Sequence, residues 1–224
     1  MIIPILLFSI YLFFILSFLY ATIRLKSHKI DSSCNNGISI IIAIRNGELS
    51  LPNLINYLKN QDYKGPMEFL LIDDESNDRT SEIILNTSLL DNRFKYYSST
   101  EGNKLLNYKK KALDVGIQNA SFNNLLFTDV DCLIPSTWVS TMSNYFSSGY
   151  DYLVGPSIVN NKNKINNISR FQRIDFFLLM IICRASTYFG PPLASSGQNQ
   201  GFTKELYLKV GGFIKVNSFI GDDT

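Results

Sequence analysis

The first 23 residues contain no charged side chain and consist mostly of Ile, Leu, Phe and Tyr. A helix of this length is roughly 34 Å long, enough to cross the hydrocarbon core of a bilayer. The basic residues Arg24, Lys26 and Lys29 follow at once, and none precedes the segment. By the positive-inside rule, this pattern predicts a single-pass membrane anchor over residues 1–24, a juxtamembrane linker over 25–37 and a cytosolic remainder. The alternative is a cleaved signal peptide, which normally has a basic start and a shorter apolar core.

Beyond this segment, apolar runs typical of strands alternate with helical patterns. Residues 38–44 are almost continuously β-branched, as expected of a strand that is buried on both faces. Ser50 can then cap a helix that has an apolar stripe. The further predicted strands are 67–72, 94–97, 125–128 and 152–159, and the further predicted helices are 83–90, 104–119 and one that begins at Pro135. The alternation predicts an α/β fold, a mostly parallel sheet sandwiched by helices.

The segment 171–183 fits this alternation least well. Its apolar core, residues 176–183, is too short to span a bilayer. It is compatible with a buried helix or with an amphipathic helix at the membrane surface near the anchor. We expect the buried helix, preceded by a polar Asn/Lys-rich loop over 160–167.

The composition argues against several kinds of chemistry. A net charge of +2 gives no reason to expect a nucleic-acid partner. The three cysteines, Cys34, Cys132 and Cys183, are widely spaced and indicate reduced cytosolic thiols rather than disulfides or a zinc site. His28 is the only histidine, so Ser-His-Asp and Cys-His catalysis and His-rich metal sites are not expected.

Two aspartates, Asp129 and Asp131, come directly after the predicted strand 125–128. Because a strand exposes alternate side chains on one face, the two carboxylates can converge where the strand runs out into a loop. An oxygen-only pair suits a hard divalent cation, and the carboxyl edge of an open α/β sheet is where ligands bind. The alternative is that both are turn residues that cap the next helix.

Polar residues also follow the first two predicted strands, at 45–48 and at 73–80. Neither the GxGxxG of a dinucleotide fold nor the GxxxxGK[ST] of a P-loop is present. The chain therefore presents carboxylates to its ligand, which suit the N–H and O–H donors of a base or sugar and a metal that carries phosphate. Asp, Ser and Asn after a strand are also ordinary helix-capping residues.

A series of short motifs, in order from residue 38 to the last residue, resembles family 2 glycosyltransferases of the Rossmann-like GT-A (nucleotide-diphospho-sugar transferase) fold. Residues 39–48 resemble the opening strand, with Ala43 where proline is often found, and residues 73–78 match DDxSxD. Residues 108–113 resemble GKxxAL, with Tyr108 in place of the glycine, and residues 128–132 match the metal-binding DxD motif. Residues 197–205 with 210–213 resemble GxNxAFRRE…VGGF, and residues 221–223 stand where the family has its ED motif.

By that resemblance, one group of residues would bind the nucleotide-diphospho-sugar donor. Asp74 would accept a hydrogen bond from the nucleobase, with a uracil-type base as the first expectation. Asp131 would hold Mg²⁺ or Mn²⁺ against the diphosphate, and Asp129 would contact ribose or metal. Lys109 or Lys110 would help to offset charge on the leaving group, although a solvated helix face is the alternative for these lysines. The donor-side set is Ala43, Arg45, Glu48, Asp73, Asp74, Lys109, Lys110 and Asp129.

The resemblance also implies an acceptor side. Asp223, with Asp222 beside it, would be the catalytic base that deprotonates the acceptor hydroxyl, and a single displacement would invert the anomeric configuration. Gly197 and Asn199 would lie on the acceptor side. The alternative for Asp222 and Asp223 is a frayed polar terminus. Relatives continue beyond the ED motif, so we expect the domain over 38–224 to lack its C-terminal part.

Together these features predict a membrane-anchored, metal-dependent inverting glycosyltransferase whose catalytic domain lies in the cytosol. It would move a sugar from a UDP-type donor to a hydroxyl of a saccharide or lipid-linked acceptor, in cell-envelope polysaccharide or glycolipid synthesis. The alternative is a non-catalytic nucleotide-sugar-binding remnant, or a module that needs a partner chain.

Overall fold

The computed structural model describes residues 2–25, 35–158, 167–190 and 195–215. The chain divides into two compact units, residues 1–29 with 156–195 and residues 30–155 with 196–224. The helices are α1 (Ile2–Arg24), α2 (Leu51–Lys59), α3 (Thr80–Leu90), α4 (Tyr108–Asn119), α5 (Trp138–Ser147), α6 (Asn167–Phe189) and α7 (Lys204–Val210). The strands are β1 (Ile38–Ile44), β2 (Met67–Asp73), β3 (Phe94–Ser98), β4 (Asn124–Phe127), β5 (Tyr152–Val154) and β6 (Gln200–Thr203).

The second unit contains one mixed sheet with the strand order β3-β2-β1-β4-β6-β5. The four strands β1 to β4 are parallel to one another, and β6 pairs antiparallel with both β4 and β5. Helices flank this sheet, which confirms the predicted α/β fold class. The predicted strands all exist, but β5 ends at Val154 rather than continuing towards residue 159, which lies outside the described residues.

The sheet core explains the β-branched run of β1. Ile40 and Ile42 pack on one face with Leu54 of α2, whereas Ile41 packs on the other face with Leu113 of α4. Ile40, Ile41 and Ile42 have no exposed surface, and burying one such side chain contributes about 1.5–3 kcal/mol. A strand covered on both faces needs apolar residues at every position, which is the pattern in the sequence.

Several predicted helix starts are wrong by a few residues, each for a local reason. The helix α4 begins at Tyr108 rather than at residue 104, because Asn103 Oδ1 accepts a hydrogen bond from Leu105 N in a preceding turn. Similarly, Pro135 O accepts from Trp138 N in a turn, so α5 begins at Trp138. Ser50 occupies the N-cap position of α2, but its side chain makes no capping hydrogen bond.

The register of the parallel strands brings their carboxyl ends to one edge. Asp73, the last residue of β2, pairs with Ile44 of β1 and with Ser98 of β3. The strand β6 enters the sheet at the same edge, because its first residue, Gln200, pairs with the last residue of β4, Phe127. The loops that follow β1, β2 and β4 and the loop that precedes β6 therefore lie at this carboxyl edge.

The first unit contains α1 and α6. Residues Ile3–Arg24 form a helix long and apolar enough to cross a membrane by length and composition. The predicted buried helix at 171–183 is wrong: Phe171 and Leu178 of α6 are 69% and 51% exposed. The reason is that α6 belongs to the first unit, where it packs against the C-terminal part of α1 and the rings of Phe18 and Phe189 meet edge to face at 6.1 Å.

Candidate functional site

The loops after β1 and β2 are joined by backbone-to-side-chain hydrogen bonds. Gly47 N donates to Thr80 Oγ1 at 2.8 Å, and Asn46 N donates to Ser76 Oγ at 2.9 Å. In return, Glu48 Oε2 accepts from Arg79 N at 2.9 Å. Polar residues after these two strands thus hold the two loops together, and the joined loops form the rim of the carboxyl edge. Of the predicted donor-side residues, Glu48 takes part in this rim, Arg45 is exposed beside it, and Ala43 is half-buried as the last residue but one of β1.

The adjacent aspartates Asp73 and Asp74 have different environments. Asp73 is 6% exposed, and its two carboxylate oxygens accept from Ser76 N at 3.2 Å and from Ser81 Oγ at 2.7 Å. Asp74 is half-buried, and only its backbone N–H is engaged, by Ile44 O at 2.7 Å. Among the described residues, no hydrogen bond or ion pair engages the Asp74 carboxylate. Asp73 therefore shapes the loop, and Asp74 is the carboxylate that can receive a ligand's N–H or O–H.

The Asp129/Asp131 pair lies in a turn, not at the end of a strand. The strand β4 stops at Phe127, and Cys132 N donates to Asp129 O at 3.2 Å to close the turn. The strand alternation used to predict convergence of the two carboxylates is therefore wrong, and the turn sets their positions instead. The helix-capping alternative does not fit either, since α5 begins only at Trp138.

Gly47 allows this turn to pack against the loop after β1. A Cβ atom on Gly47 would lie 2.6 Å from Ile44 Cγ2 and 3.1 Å from Val130 Cγ2. Val130, between the two aspartates, is partly buried against the core on that side of the sheet. Because Gly47 has no side chain, Val130 can pack there and hold the turn of Asp129 and Asp131 (the aspartate turn) next to the loops after β1 and β2.

The first turn of α4 brings a positive charge to the same place. Lys109 Nζ lies 2.9 Å from Asp129 Oδ1, with side chains that are 35% and 27% exposed. Asp131 is exposed, and no ion pair engages it within the described ranges. Lys110 is half-buried one position further along α4. The ion pair supports the prediction that Lys109 belongs to the edge rather than to a solvated helix face.

The residues at this edge fit a divalent cation only together with a ligand that carries its own oxygens. Within the described ranges, no group of three or more Asp, Glu, His or Cys residues could hold a metal ion. Burial raises the pKa of the Cys132 thiol, and the nearby Asp129 and Asp131 raise it further, so the thiol stays protonated at neutral pH. Two carboxylates suit Mg²⁺ or Mn²⁺ if phosphate oxygens and water fill the other coordination positions of the ion.

Tyr108 has a strained backbone at the entrance to this site. Its φ angle is 52°, in the left-handed region that favours glycine. The motif that this segment resembles has glycine at that position, and the structure gives the physical reason for it. Tyr108 as a whole is 76% exposed.

The loop before β6 carries the predicted acceptor-side residues Gly197 and Asn199. Asn199 Oδ1 accepts from Trp138 Nε1 at 2.9 Å, and Asn199 O accepts from Gly155 N at 2.8 Å. Sequence reasoning missed Trp138, although it is the only tryptophan in the chain. Asp222 and Asp223, the predicted catalytic pair, lie outside the described residues.

Comparison with known proteins identifies relatives of this chain. The pattern of the family described as glycosyl transferase family 2 matches residues 39–211. A GalNAc(5)-diNAcBac-PP-undecaprenol beta-1,3-glucosyltransferase from Campylobacter jejuni is 24% identical over 76% of this chain and 56% of its own length. An undecaprenyl-phosphate 4-deoxy-4-formamido-L-arabinose transferase from Pectobacterium atrosepticum is 29% identical over 71% of this chain and 46% of its own length. The chain thus spans about half the length of these relatives.

Solved structures share the fold at low sequence identity. A mannosyltransferase from Pyrobaculum calidifontis in complex with GDP-Man and Mn²⁺ superposes with a TM-score of 0.68 and 17% identity, covering 89% of this chain and 54% of that one. Glucosyl-3-phosphoglycerate synthase from Mycobacterium tuberculosis in complex with UDP gives a TM-score of 0.54 at 15% identity, covering 82% of this chain and 64% of that one. Both neighbours are glycosyltransferases of the GT-A fold, the architecture that the sequence predicts.

Proposed function

Because this chain belongs to glycosyl transferase family 2, we propose that it transfers a sugar from a nucleotide-diphospho-sugar to a hydroxyl of a lipid-linked acceptor. The observation that carries this proposal is the environment of one sheet edge. Asp74 presents there a carboxylate that no described residue engages, Asp131 is exposed, and Lys109 provides a positive charge 2.9 Å from Asp129.

The donor would bind along this edge with its base towards Asp74. A carboxylate accepts hydrogen bonds, and uracil and guanine both present a ring N–H donor to such a group. We propose a UDP-type donor, with Ala43, Arg45, Glu48 and Asp73 forming the wall of the nucleotide pocket. Asp73 and Glu48 act mainly by holding the two loops, since their oxygens already accept hydrogen bonds from Ser76, Ser81 and Arg79.

The diphosphate would lie between the aspartate turn and the first turn of α4. Asp131 and Asp129 would hold Mg²⁺ or Mn²⁺, which supplies Lewis-acid stabilisation of the leaving diphosphate when bound. Lys109 is close enough to Asp129 to move from that carboxylate to a phosphate oxygen, and Lys110 follows it on the same helix turn. The amino end of α4 adds its partial positive charge in the same direction.

The acceptor hydroxyl would enter from the side of the loop that precedes β6. We propose that Gly197 and Asn199 line that side and that Trp138 fixes the Asn199 amide by its hydrogen bond. Asp223, supported by Asp222, would deprotonate the hydroxyl as it attacks the anomeric carbon. One displacement with one base gives inversion, and no covalent enzyme intermediate is needed.

A lipid-linked acceptor would lie in a membrane, and the apolar helix α1 could hold the enzyme at the same membrane. We propose that α1 anchors the chain in the membrane, with Arg24 at the cytosolic end and the sheet unit in the cytosol. The relatives from Campylobacter jejuni and Pectobacterium atrosepticum carry undecaprenol and undecaprenyl phosphate in their names. A cell-envelope polysaccharide or glycolipid is therefore the proposed product class.

The full chain in lipid nanodiscs tests this proposal with a panel of UDP- and GDP-sugars and polyprenyl-linked acceptors. We expect release of nucleoside diphosphate that requires both Mn²⁺ and an acceptor, and that falls at least about 100-fold in Asp131→Asn, the loss expected when several kcal/mol of charge stabilisation disappear. Asp62→Asn is the matched control, since Asp62 is exposed and precedes β2 at the opposite edge of the sheet. Nucleotide binding without turnover for any donor and acceptor pair would instead favour a non-catalytic nucleotide-sugar-binding module.

A further inference from the structure

A stack of three buried aromatic rings connects α7 to the end of β4. Phe127, the last residue of β4, stacks on Phe202 of β6 with ring centroids 4.5 Å apart. Phe202 stacks in turn on Tyr207 of α7 at 5.9 Å, with ring planes 12° apart. Asp129 follows Phe127 after one residue, so the stack ends directly below the aspartate turn.

The hydroxyl of Tyr207 joins this stack to α4. Tyr207 OH donates to Asp114 Oδ1 at 2.8 Å and accepts from Phe213 N at 3.2 Å. Asp114 is 9% exposed, and Gln118 Nε2 donates to the same carboxylate oxygen at 3.2 Å. Burial raises the pKa of the Tyr207 hydroxyl, and the Asp114 carboxylate raises it further. The hydroxyl therefore keeps its proton at neutral pH and remains the donor to Asp114.

These contacts form a closed path that passes through the candidate donor site. Asp114 comes five positions after Lys109 on α4, about 7.5 Å along the helix axis. Lys109 Nζ contacts Asp129 Oδ1 at 2.9 Å, and Asp129 leads back along the chain to Phe127 and the ring stack. Tyr207 is thus the residue of α7 that ties the helix of Lys109 to the strand that precedes Asp129.

The first turn of α4 depends on such directional contacts for its exact position. Apolar attraction is non-directional, whereas a hydrogen bond fixes the distance and the direction between two groups. At the far end of α4, Lys204 Nζ donates to Gln118 O and Ala120 O, each at 3.0 Å. The hydrogen bond from Tyr207 lies about one turn nearer to Lys109 and is buried, so it acts more directly on the first turn.

We propose that Tyr207 is a positioning residue of the donor site. Its hydroxyl fixes α4 relative to β4 and thereby holds Lys109 at the distance from the aspartate turn at which a diphosphate and a metal ion bind together. Tyr207 is 6% exposed and acts through Lys109, not by contact with the donor. The inference rests on the proposed function, because it concerns the same donor site.

Isothermal titration of the full chain with UDP, in detergent and Mn²⁺, tests this role. Tyr207→Phe keeps the ring and removes only the hydroxyl, so the affinity for UDP should fall by about fivefold or more. Tyr63→Phe is the matched control, since Tyr63 is also buried and its hydroxyl donates to Asn36 O and accepts from Ser143 Oγ at 3.0 Å. Tyr63 precedes β2 at the opposite edge of the sheet, so its variant should lose stability but keep the UDP affinity within about twofold.

A double-mutant cycle with Lys109 separates positioning from a general structural effect. Because Tyr207 acts through Lys109, Tyr207→Phe should weaken UDP binding by less than about twofold when Lys109 is already alanine. Unchanged affinity in Tyr207→Phe, equal losses in the two tyrosine variants, or an equal loss with and without Lys109 would overturn the positioning role and leave the donor site intact. No UDP binding by the unmodified chain would overturn the donor site and the positioning role together.

Two variants of Asp114 test the same contact from α4 and decide the question if Tyr207→Phe gives no cooperative melting transition. Asp114→Asn keeps an oxygen that accepts from Tyr207, so its affinity for UDP should stay within about twofold of the unmodified chain. Asp114→Ala removes the acceptor and should lose about fivefold in affinity. Equal UDP affinities in these two variants would overturn the positioning role.

Discussion

The Lys109 ammonium contacts the Asp129 carboxylate at 2.9 Å, and this ion pair ties the first turn of α4 to the turn after β4. Both side chains are partly exposed, so the pair contributes no more than ~1 kcal/mol to the fold. A diphosphate can therefore take Lys109 from Asp129 at little cost. The same step leaves Asp129 available for a metal ion, so we expect the binding of nucleotide and metal to be coupled.

Replacement of Lys109 tests this coupling. Lys109→Ala should weaken UDP binding in Mn²⁺ by about 10-fold or more, since a hydrogen bond to a charged group contributes about 1.5–3 kcal/mol. Isothermal titration calorimetry measures the effect. Lys64→Ala is the control, because Lys64 is exposed and precedes β2 at the opposite edge. Equal losses in both variants would mean that only net charge matters.

Substitution of the adjacent Asp73 and Asp74 should have different effects, the first on stability and the second on UDP binding. Asp73→Asn replaces one of the two buried oxygens that accept hydrogen bonds with an N–H₂ donor and should lower the melting temperature by about 5 °C. Asp74→Asn should leave the melting temperature within about 1 °C of the unmodified chain, because no described residue engages its carboxylate, but should abolish detectable UDP binding. A melting curve and a UDP titration on each variant measure both effects. Unchanged UDP affinity in Asp74→Asn would contradict the proposed role of Asp74.

The positive φ angle of Tyr108 predicts a stabilising substitution. Tyr108→Gly should raise the melting temperature by roughly 2–4 °C, because a left-handed non-glycine residue costs about 1 kcal/mol. Tyr108→Ala keeps the Cβ atom and the strain, so it should give no gain. If alanine stabilises the chain as much as glycine does, the effect comes from removing the exposed ring and not from the backbone.

Glu68 predicts a pH dependence of stability at the opposite edge of the sheet. Burial raises the pKa of this carboxyl, but hydrogen bonds from Lys95, Ser39 and Ser121 lower it more, and the net pKa lies below its usual value. A lowered folded-state pKa stabilises the fold above the unfolded-state pKa of about 4.3, and this contribution is lost as the pH falls through the folded-state value.

The variant Glu68→Gln isolates this contribution. Its melting temperature should lie several degrees below that of the unmodified chain at pH 6, and the difference should shrink as the pH falls to 3. Melting curves over this pH range measure it. A constant difference across the range would show that the variant acts through packing and not through the charge of Glu68.

Much of the fold could be predicted because its signals are local. The β-branched run of β1 reports burial on both faces, and that burial is what the two core clusters show. The exposed position of α6 could not be predicted in the same way. A periodic apolar stripe fits packing against a sheet or against another helix equally well, and the packing of α6 against α1 joins residues that are far apart in the sequence.

The candidate site divides along similar lines. The sequence indicates which residues follow each strand, so the grouping of Asp74 and Asp131 at one edge could be expected from a parallel sheet. The sequence does not indicate which carboxylates already accept hydrogen bonds from other residues of the chain. Asp73 is engaged because Ser76 and Ser81 donate to it, whereas no described residue engages the Asp74 carboxylate. The Trp138–Asn199 hydrogen bond joins residues 61 positions apart.

The most direct test of the donor site is the melting temperature of the full chain in detergent, with and without UDP and Mn²⁺. Binding to the native state should raise the melting temperature by at least about 3 °C when UDP and Mn²⁺ are both present. The rise should disappear in Asp131→Asn and in Asp74→Asn and remain in Asp62→Asn. A cooperative transition that UDP and GDP leave unmoved in Mn²⁺, or that moves equally in all three variants, would contradict a donor site at this edge of the sheet.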